Sequence, residues 1–148
     1  MLAYLWYTAQ SHAKESARSY SFAQPDPLAA DIHAILAEGF SAGLATIRPG
    51  AALSDIYAAT AAVIHGAGLT SYQRGHYGHG VGASVGSEEW PFIAADSDAV
   101  VEPGMVLAFE TPFYGKGIGS LTIEDQLVVT ETGIEVVTRL PRELVRID

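Results

Sequence analysis

The sequence of 148 residues contains no cysteine, which excludes disulfide bonds and thiolate metal sites. It is also poor in basic residues, because eight Lys and Arg stand against 17 Asp and Glu, for a formal net charge of −9. Nucleic acid and anionic membranes are bound by basic surfaces, so we expect neither as a partner. A cation site is compatible with this charge.

The sequence begins with an apolar stretch that is too short to cross a membrane. "MLAYLWYTAQ" (1–10) has no basic residue before it, which argues against a signal peptide. Its Tyr, Trp, Leu and Thr residues favour a strand, and "SARSYSFA" (16–23) is expected to pair with it as a hairpin. A chain that opens inside a strand suggests a fragment of something longer. We expect a cytoplasmic protein.

Two helices are predicted after this hairpin. "PDP" (25–27) ends the second strand, and apolar residues then recur at helical spacing from Leu28 to Ile47. "RPG" (48–50) stops this helix, and a second one is expected over 53–65, before a pair of glycines.

The rest of the chain reads as strands. They are expected within 102–110, 120–133 and 134–140, the last two joined by a turn. With 49% apolar and 17% charged residues, the chain is globular and forms one domain over 1–148. The order ββααββββ predicts an α+β domain with helices packed on one face of a mainly antiparallel sheet.

Three polar residues stand where a core strand prefers apolar ones. His79 lies in the glycine-rich "GHYGHGVG" (75–82), Glu110 ends the run "MVLAFE", and Glu124 interrupts "LTIEDQLVV". A buried carboxylate is costly unless it is paired or bound to a cation. Two carboxylates and an imidazole from three strands could hold a divalent metal, and the glycines would let substrate approach closely.

Each of these residues also has an ordinary structural interpretation. A histidine in a glycine-rich loop is more often a loop residue than a ligand, and a Glu at a strand end is usually solvated. Glu124 next to Asp125 could face water. The joint pattern of the three residues, rather than any one of them, favours a site over a plain α+β domain without one.

The joint pattern resembles the pita-bread metallohydrolases, a family that includes methionine aminopeptidase, aminopeptidase P, prolidase and the metal-free creatinase. "GHGVG", "EPGMVLAFETPFY" and "IEDQLVVTETG" follow one another with compatible spacing. The paired helices with "AIRPG" between them are also similar, so the resemblance covers about residues 15–137. It implies a curved, mainly antiparallel sheet and identifies the chain as the C-terminal portion of a pita-bread catalytic domain.

The resemblance also implies a metal centre. His79 and Glu110 would bind one ion of a dinuclear pair, Glu124 would bridge both ions, and Glu110 would act as general base. The cofactor would be a divalent metal (Mn, Co, Zn or Fe), and the substrate a peptide or small amide, often with proline after the scissile bond. Two such ions activate a shared water and polarise the carbonyl.

The sequence departs from the family pattern at several site positions. The family has two Asp residues eleven apart on the hairpin before the first helix; here Glu15 stands at the second position and Tyr4 at the first. A histidine is often found four residues before the ligand His, where this chain has Gly75 with His76 beside it. A further histidine position holds Gly86. We therefore take His76, His79 and Glu110 as catalytic candidates, and Glu15 as an additional metal ligand.

These departures leave two functional classes open. The first is a metal-dependent aminopeptidase or Xaa-Pro peptidase, truncated and inactive or weakly active alone. The second is a metal-free domain, either a creatinase-like C–N hydrolase or a binding module, with no metal bound in this chain. The family's catalytic domain is roughly twice as long, and the missing half predicts an uncovered sheet edge and hence a homo-oligomer.

Overall fold

The computed structural model describes residues 2–9, 12–84 and 87–147, and for residues 2–9 and 12–14 it describes the backbone alone. The two helices are α1 (Pro27–Thr46) and α2 (Leu53–Gly66). The strands of the described residues, in chain order, are β1 (Leu2–Ala9), β2 (His12–Ser21), β3 (His76–Gly80), β4 (Glu89–Ala94), β5 (Val106–Glu110), β6 (Phe113–Gly115), β7 (Gly119–Leu121), β8 (Ile123–Val129), β9 (Ile134–Val136) and β10 (Val145–Arg146).

The main sheet has the strand order β1-β2-β8-β5-β3-β4, and every pairing along it is antiparallel. Strand β9 continues beside the second half of β8, and β10 runs parallel to the end of β2. Strands β6 and β7 form a hairpin of their own. The predicted hairpin at the start of the chain and the mainly antiparallel sheet are both confirmed.

Helix α1 begins where the sequence predicts. The Asp26 carboxylate accepts a hydrogen bond from the Leu28 amide (2.8 Å), and Pro27 fills a position in which no amide partner is needed. By length and composition alone α1 could cross a membrane, since its most apolar 18 residues have a mean hydropathy of 1.2. Its buried residues pack on α2 and the sheet, which is equally typical of a core helix.

The helices cover one face of the sheet. Phe40 of α1 meets Phe109 of β5 with ring centroids 4.8 Å apart, and both side chains are fully buried. Because side chains alternate along a strand, the neighbours of Phe109, Ala108 and Glu110, belong to the opposite face. The expected one-sided packing of the helices is confirmed, and the opposite face is the one that carries the candidate site.

Close contact between α1 and α2 depends on Gly43. A methyl group at this position would lie 2.1 Å from Thr60 Oγ1 and 2.4 Å from Phe109 Cζ, so the two helices or the sheet would have to move. We expect Gly43→Ala to lower the free energy of unfolding by about 1–3 kcal/mol, as overpacked cores do. Urea denaturation followed by circular dichroism measures this. Gly66→Ala is the control, because a methyl group there meets nothing within 4 Å; equal stability of the two variants would contradict the prediction.

Three strands of the described residues, β4, β6 and β10, lie outside the segments for which the sequence predicts strands. The glycine-rich stretch forms β3, an interior strand between β5 and β4, where the sequence left both a strand and a loop open. β4 follows it and forms an edge. The predicted strand within 120–133 is divided into β7 and β8 at Thr122.

Candidate metal centre

Strand register places the candidate residues of β3, β5 and β8 on one face. His79 pairs with Ala108, and Glu110, two residues further along β5, belongs to the same face. Glu110 in turn pairs directly with Glu124 of β8. His79, Glu110 and Glu124 therefore lie on the sheet face that the helices leave free.

The first hairpin adds a fourth donor to this face. Ala17 of β2 pairs with Glu124, and Glu15 lies two residues before it on the same side. Glu15 Oε2 lies 3.4 Å from His79 Nε2, and both side chains are almost fully buried. The Glu15 amide donates to Gln126 Oε1 (3.3 Å), which holds this end of β2 against β8.

The backbone fixes the tautomer of His79. Its Nδ1 lies 2.9 Å from the carbonyl oxygen of Gly80, which can only accept, so Nδ1 carries a proton and donates it. The remaining nitrogen, Nε2, faces Glu15. A ring nitrogen held in this way is presented either to a cation or, when protonated, to the carboxylate.

The glycines around His79 are required by close backbone contacts. Gly78 has φ +153°, and a Cβ there would lie 2.2 Å from the carbonyl oxygen of Ala108. A Cβ at Gly80 would lie 2.6 Å from the carbonyl oxygen of Trp90. The glycine-rich sequence thus lets β3 fit between its two neighbours with His79 in register.

Electrostatics on this face favour either protons or a cation. Burial, reinforced by the charges of Glu110 and Glu15, raises the pKa of Glu124 to about 8. Burial also raises the pKa of Glu110 and of Glu15, although His79 beside Glu15 acts in the opposite direction. Several carboxylates that cannot all ionise together form a site that a divalent cation would stabilise.

A second group of side chains lies at the entrance of this face. His76 Nε2 is 3.2 Å from Glu88 Oε2, and His76 Nδ1 is 4.0 Å from Glu110 Oε1. The ring of His76 stands 6.3 Å from that of His79, nearly perpendicular to it. Arg74 Nη2 approaches the same Glu110 oxygen at 3.4 Å. Glu88, in the segment before β4, was not among the residues that the sequence predicted.

The other face of β8 holds a feature that sequence reasoning also missed. Arg18 forms a buried salt bridge with Asp125, and Arg142 contacts the second oxygen of Asp125. Neither Arg18 nor Asp125 stands out in the sequence, because β2 is rich in polar residues and Asp125 lies between Glu124 and Gln126.

The donor set suits one divalent cation better than two. Glu15, His79, Glu110 and Glu124 offer one imidazole and three carboxylates, a mixture typical of Mn²⁺, Fe²⁺ or Zn²⁺ sites. Tyr4, at the first Asp position of the resemblance, pairs with Ala17 through the backbone, and its side chain lies outside the described part of the chain, as does Gly86. A neutral phenol is a poor substitute for a bidentate carboxylate, so the ligands of a second ion are incomplete in that pattern.

Comparison with known proteins supplies the family. The family model of metallopeptidase family M24 matches residues 6–131 of this chain. The chain belongs to this family. M24 is the family of the pita-bread metallohydrolases, so the expected resemblance is confirmed.

The M24 relatives are named as peptidases. The chain is 37% identical over 131 residues to the probable dipeptidase PepE of Mycobacterium bovis, covering 88% of this chain and 34% of that protein. The structure of dipeptidase PepE from Mycobacterium ulcerans matches with TM-score 0.90 and 32% identity, covering 98% of this chain and 39% of that one. The structure of an Xaa-Pro dipeptidase from Bacillus anthracis matches with TM-score 0.85 and 32% identity, covering 93% of this chain and 38% of that one.

These matches confirm the pita-bread fold of the described part of the chain. The chain spans between a third and two fifths of the length of these M24 relatives. Fold and family are thereby established.

Proposed function

We propose that this chain carries the metal-binding face of an M24 hydrolase that cleaves Xaa-Pro or related peptides. The single observation that supports the proposal best is the placement of Glu15, His79, Glu110 and Glu124 on one sheet face by the strand register, with Glu15 and His79 in contact at 3.4 Å. Identity of 37% to a probable dipeptidase and 32% to an Xaa-Pro dipeptidase supports the substrate class.

Each residue has a distinct role in this proposal. Glu15, His79, Glu110 and Glu124 hold the cation, which when bound supplies Lewis acidity to the substrate carbonyl and lowers the pKa of a water molecule. Glu110, whose pKa is raised by burial, also accepts the proton of the attacking water at a carboxylate oxygen. His76, which lies beside Glu110, is the further catalytic candidate at the entrance of this face.

Metal binding tests the proposal directly. We expect the purified chain to bind Mn²⁺ and His79→Ala to weaken that affinity at least tenfold, because the imidazole is one of four donors. His65→Ala is the control, since His65 lies on α2 and its ring contacts the carbonyl oxygen of Tyr72. Isothermal titration, with circular dichroism to verify folding, provides the measurement. Failure to bind Mn²⁺, Co²⁺ or Zn²⁺ at millimolar concentration would contradict the proposal.

Turnover is expected to be low. Tyr4 replaces one of the family's two Asp residues, so we expect an Xaa-Pro dipeptide with added Mn²⁺ or Co²⁺ to be cleaved well below about 1 s⁻¹, the lower end of ordinary enzyme rates. Turnover above that rate would show that Tyr4 and Glu15 matter less than assumed.

A metal-free function is the second candidate, and the same replacement of Asp by Tyr4 favours it. In that case His76, His79 and Glu110 perform acid–base chemistry without a cation, as in the creatinase-like alternative, or the face binds a ligand without catalysis. The absence of metal binding in the titration above would favour this class. The expected homo-oligomer and cytoplasmic location stay predictions, which sedimentation and cell fractionation would test.

A further inference from the structure

We propose that His76, Glu88 and Glu110 form a second divalent-cation site, next to the first and sharing Glu110 with it. This inference rests on the proposed function, because Glu110 would be a ligand of both ions. Neither His76 nor Glu88 stands at a ligand position of the family pattern described above, so the site belongs to this chain's own sequence.

Geometry is the first argument. One ligand atom from each of the three residues lies within 4.8 Å of the other two. Among the described residues, these three are the His, Asp and Glu side chains that come this close together as a group. Two metal–ligand bonds of about 2.1 Å span at most about 4.2 Å, so the three atoms are close to the spacing around one ion. Glu88 is half exposed, and rotation of its side chain suffices for the remaining few tenths of an ångström.

Unsatisfied polarity is the second argument. His76 Nδ1 is buried and has no hydrogen-bond partner, and its distance of 4.0 Å to Glu110 Oε1 is too long for a hydrogen bond. A buried polar nitrogen without a partner is costly. A cation between this nitrogen and the Glu110 carboxylate would satisfy both at once, and the half-exposed Glu88 side chain, now 3.2 Å from Nε2, would turn to reach it.

Local charge is the third argument. Burial raises the pKa of Glu15 and His79 opposes that shift, while the nearby carboxylates of Glu88, Glu89 and Glu110 reinforce it, so acidic side chains gather at the entrance of the face. Arg74 opposes this charge, with Nη2 3.4 Å from Glu110 Oε1. Since a carboxylate has two oxygens and about four lone-pair positions, Glu110 can keep Arg74 and still bind a cation.

The chemistry of the second site suits a borderline divalent cation. One imidazole and two carboxylates leave open coordination positions, as Mn²⁺ and Zn²⁺ sites that accept water or substrate do. A cation here would replace the one whose ligands are lost at Tyr4, at a different place around Glu110. Two ions would then flank the carboxylate that the proposed mechanism uses as a base.

The stoichiometry of Mn²⁺ tests this site. Free Mn²⁺ is followed by electron paramagnetic resonance while the full chain is titrated at equilibrium. We expect two equivalents for the wild type, and one equivalent for both His76→Ala and Glu88→Gln. Glu89→Gln is the matched control, because it removes the same charge one residue away from Glu88 and should keep two equivalents; its side chain instead accepts a hydrogen bond from the Ser84 amide (2.8 Å).

The outcomes separate this inference from the proposed function. One equivalent in the wild type, or two in Glu88→Gln and His76→Ala, would overturn the second site and leave the first intact. If Glu89→Gln also lost one equivalent of Mn²⁺, the losses would be explained by local negative charge alone, and the second site would again be overturned. His79→Ala removes the other equivalent if the first site is correct, and two retained equivalents in that variant would refute the first site alone.

Discussion

Replacing Arg18 by Met is expected to lower the free energy of unfolding by about 3–5 kcal/mol, the range seen when one partner of a buried ion pair is removed. Arg18 is only 2% exposed. All five of its N–H groups are used: Nη2 donates to Asp125 Oδ1 and to the carbonyl of Leu140, and the others donate to the carbonyls of Ala17, Glu124 and Pro141. The variant leaves an incompletely neutralised carboxylate and four backbone acceptors without this donor.

Urea denaturation at pH 7 gives the measurement, with Arg48→Met as control. Arg48 is exposed after α1, so its replacement should change stability by no more than about 0.5 kcal/mol. Arg142→Met should fall between the two, because Arg142 contacts Asp125 but is 36% exposed. A loss below about 1 kcal/mol for Arg18→Met would show that the cluster contributes little.

Metal-free protein should become less stable as the pH rises from about 5 to about 8. Burial raises the pKa of Glu124 from 4.5 to about 8, so the folded state holds its proton where the unfolded chain has lost it. A raised pKa in the folded state contributes stability that is complete below the unfolded value and is lost as the pH rises through the folded value. At about 1.4 kcal/mol per pKa unit, the loss is on the order of a few kcal/mol.

Glu124→Gln should flatten this dependence, because glutamine does not titrate. We expect the variant to match the wild type near pH 5 and to exceed it in melting temperature near pH 8, in buffer with a chelator. Glu135→Gln, an exposed change on β9, is the control and should follow the wild type. Saturating Mn²⁺ should stabilise the wild type more at pH 8 than at pH 5, since the cation binds the ionised carboxylate. A flat wild-type profile would contradict the assignment of Glu124.

Much of the fold follows from short-range patterns. The helices were predictable because apolar residues recur at helical spacing and Asp26-Pro27 and Arg48-Pro49-Gly50 mark the boundaries. For β3 the sequence left a strand and a loop open, since glycine normally weakens a strand. Its glycines are explained by contacts with the Ala108 and Trp90 carbonyls, which belong to strands other than β3. Local sequence propensity carries no information about close contacts between the backbones of different strands.

The candidate site was predictable in part for a related reason. His79, Glu110 and Glu124 stood out because a polar residue in an apolar strand contradicts the pattern around it, although their role as metal ligands stays a prediction. Glu88 lies outside the strands and had no such contrast. Asp125 suggested that Glu124 faces water, yet both are buried, because the two side chains enter opposite faces and each has its own environment.

The adjacency of Glu124 and Asp125 constrains how the chain can vary in length. Glu124 lies on the face that the helices leave free, and Asp125 lies on the opposite face, where it binds Arg18. Both positions depend on the pairing of β8 with β2 and β5. A single-residue insertion or deletion in β8 before Glu124 would exchange the two faces, placing a carboxylate with the wrong partner on each side. Only paired insertions, or changes confined to the loops, keep both environments intact.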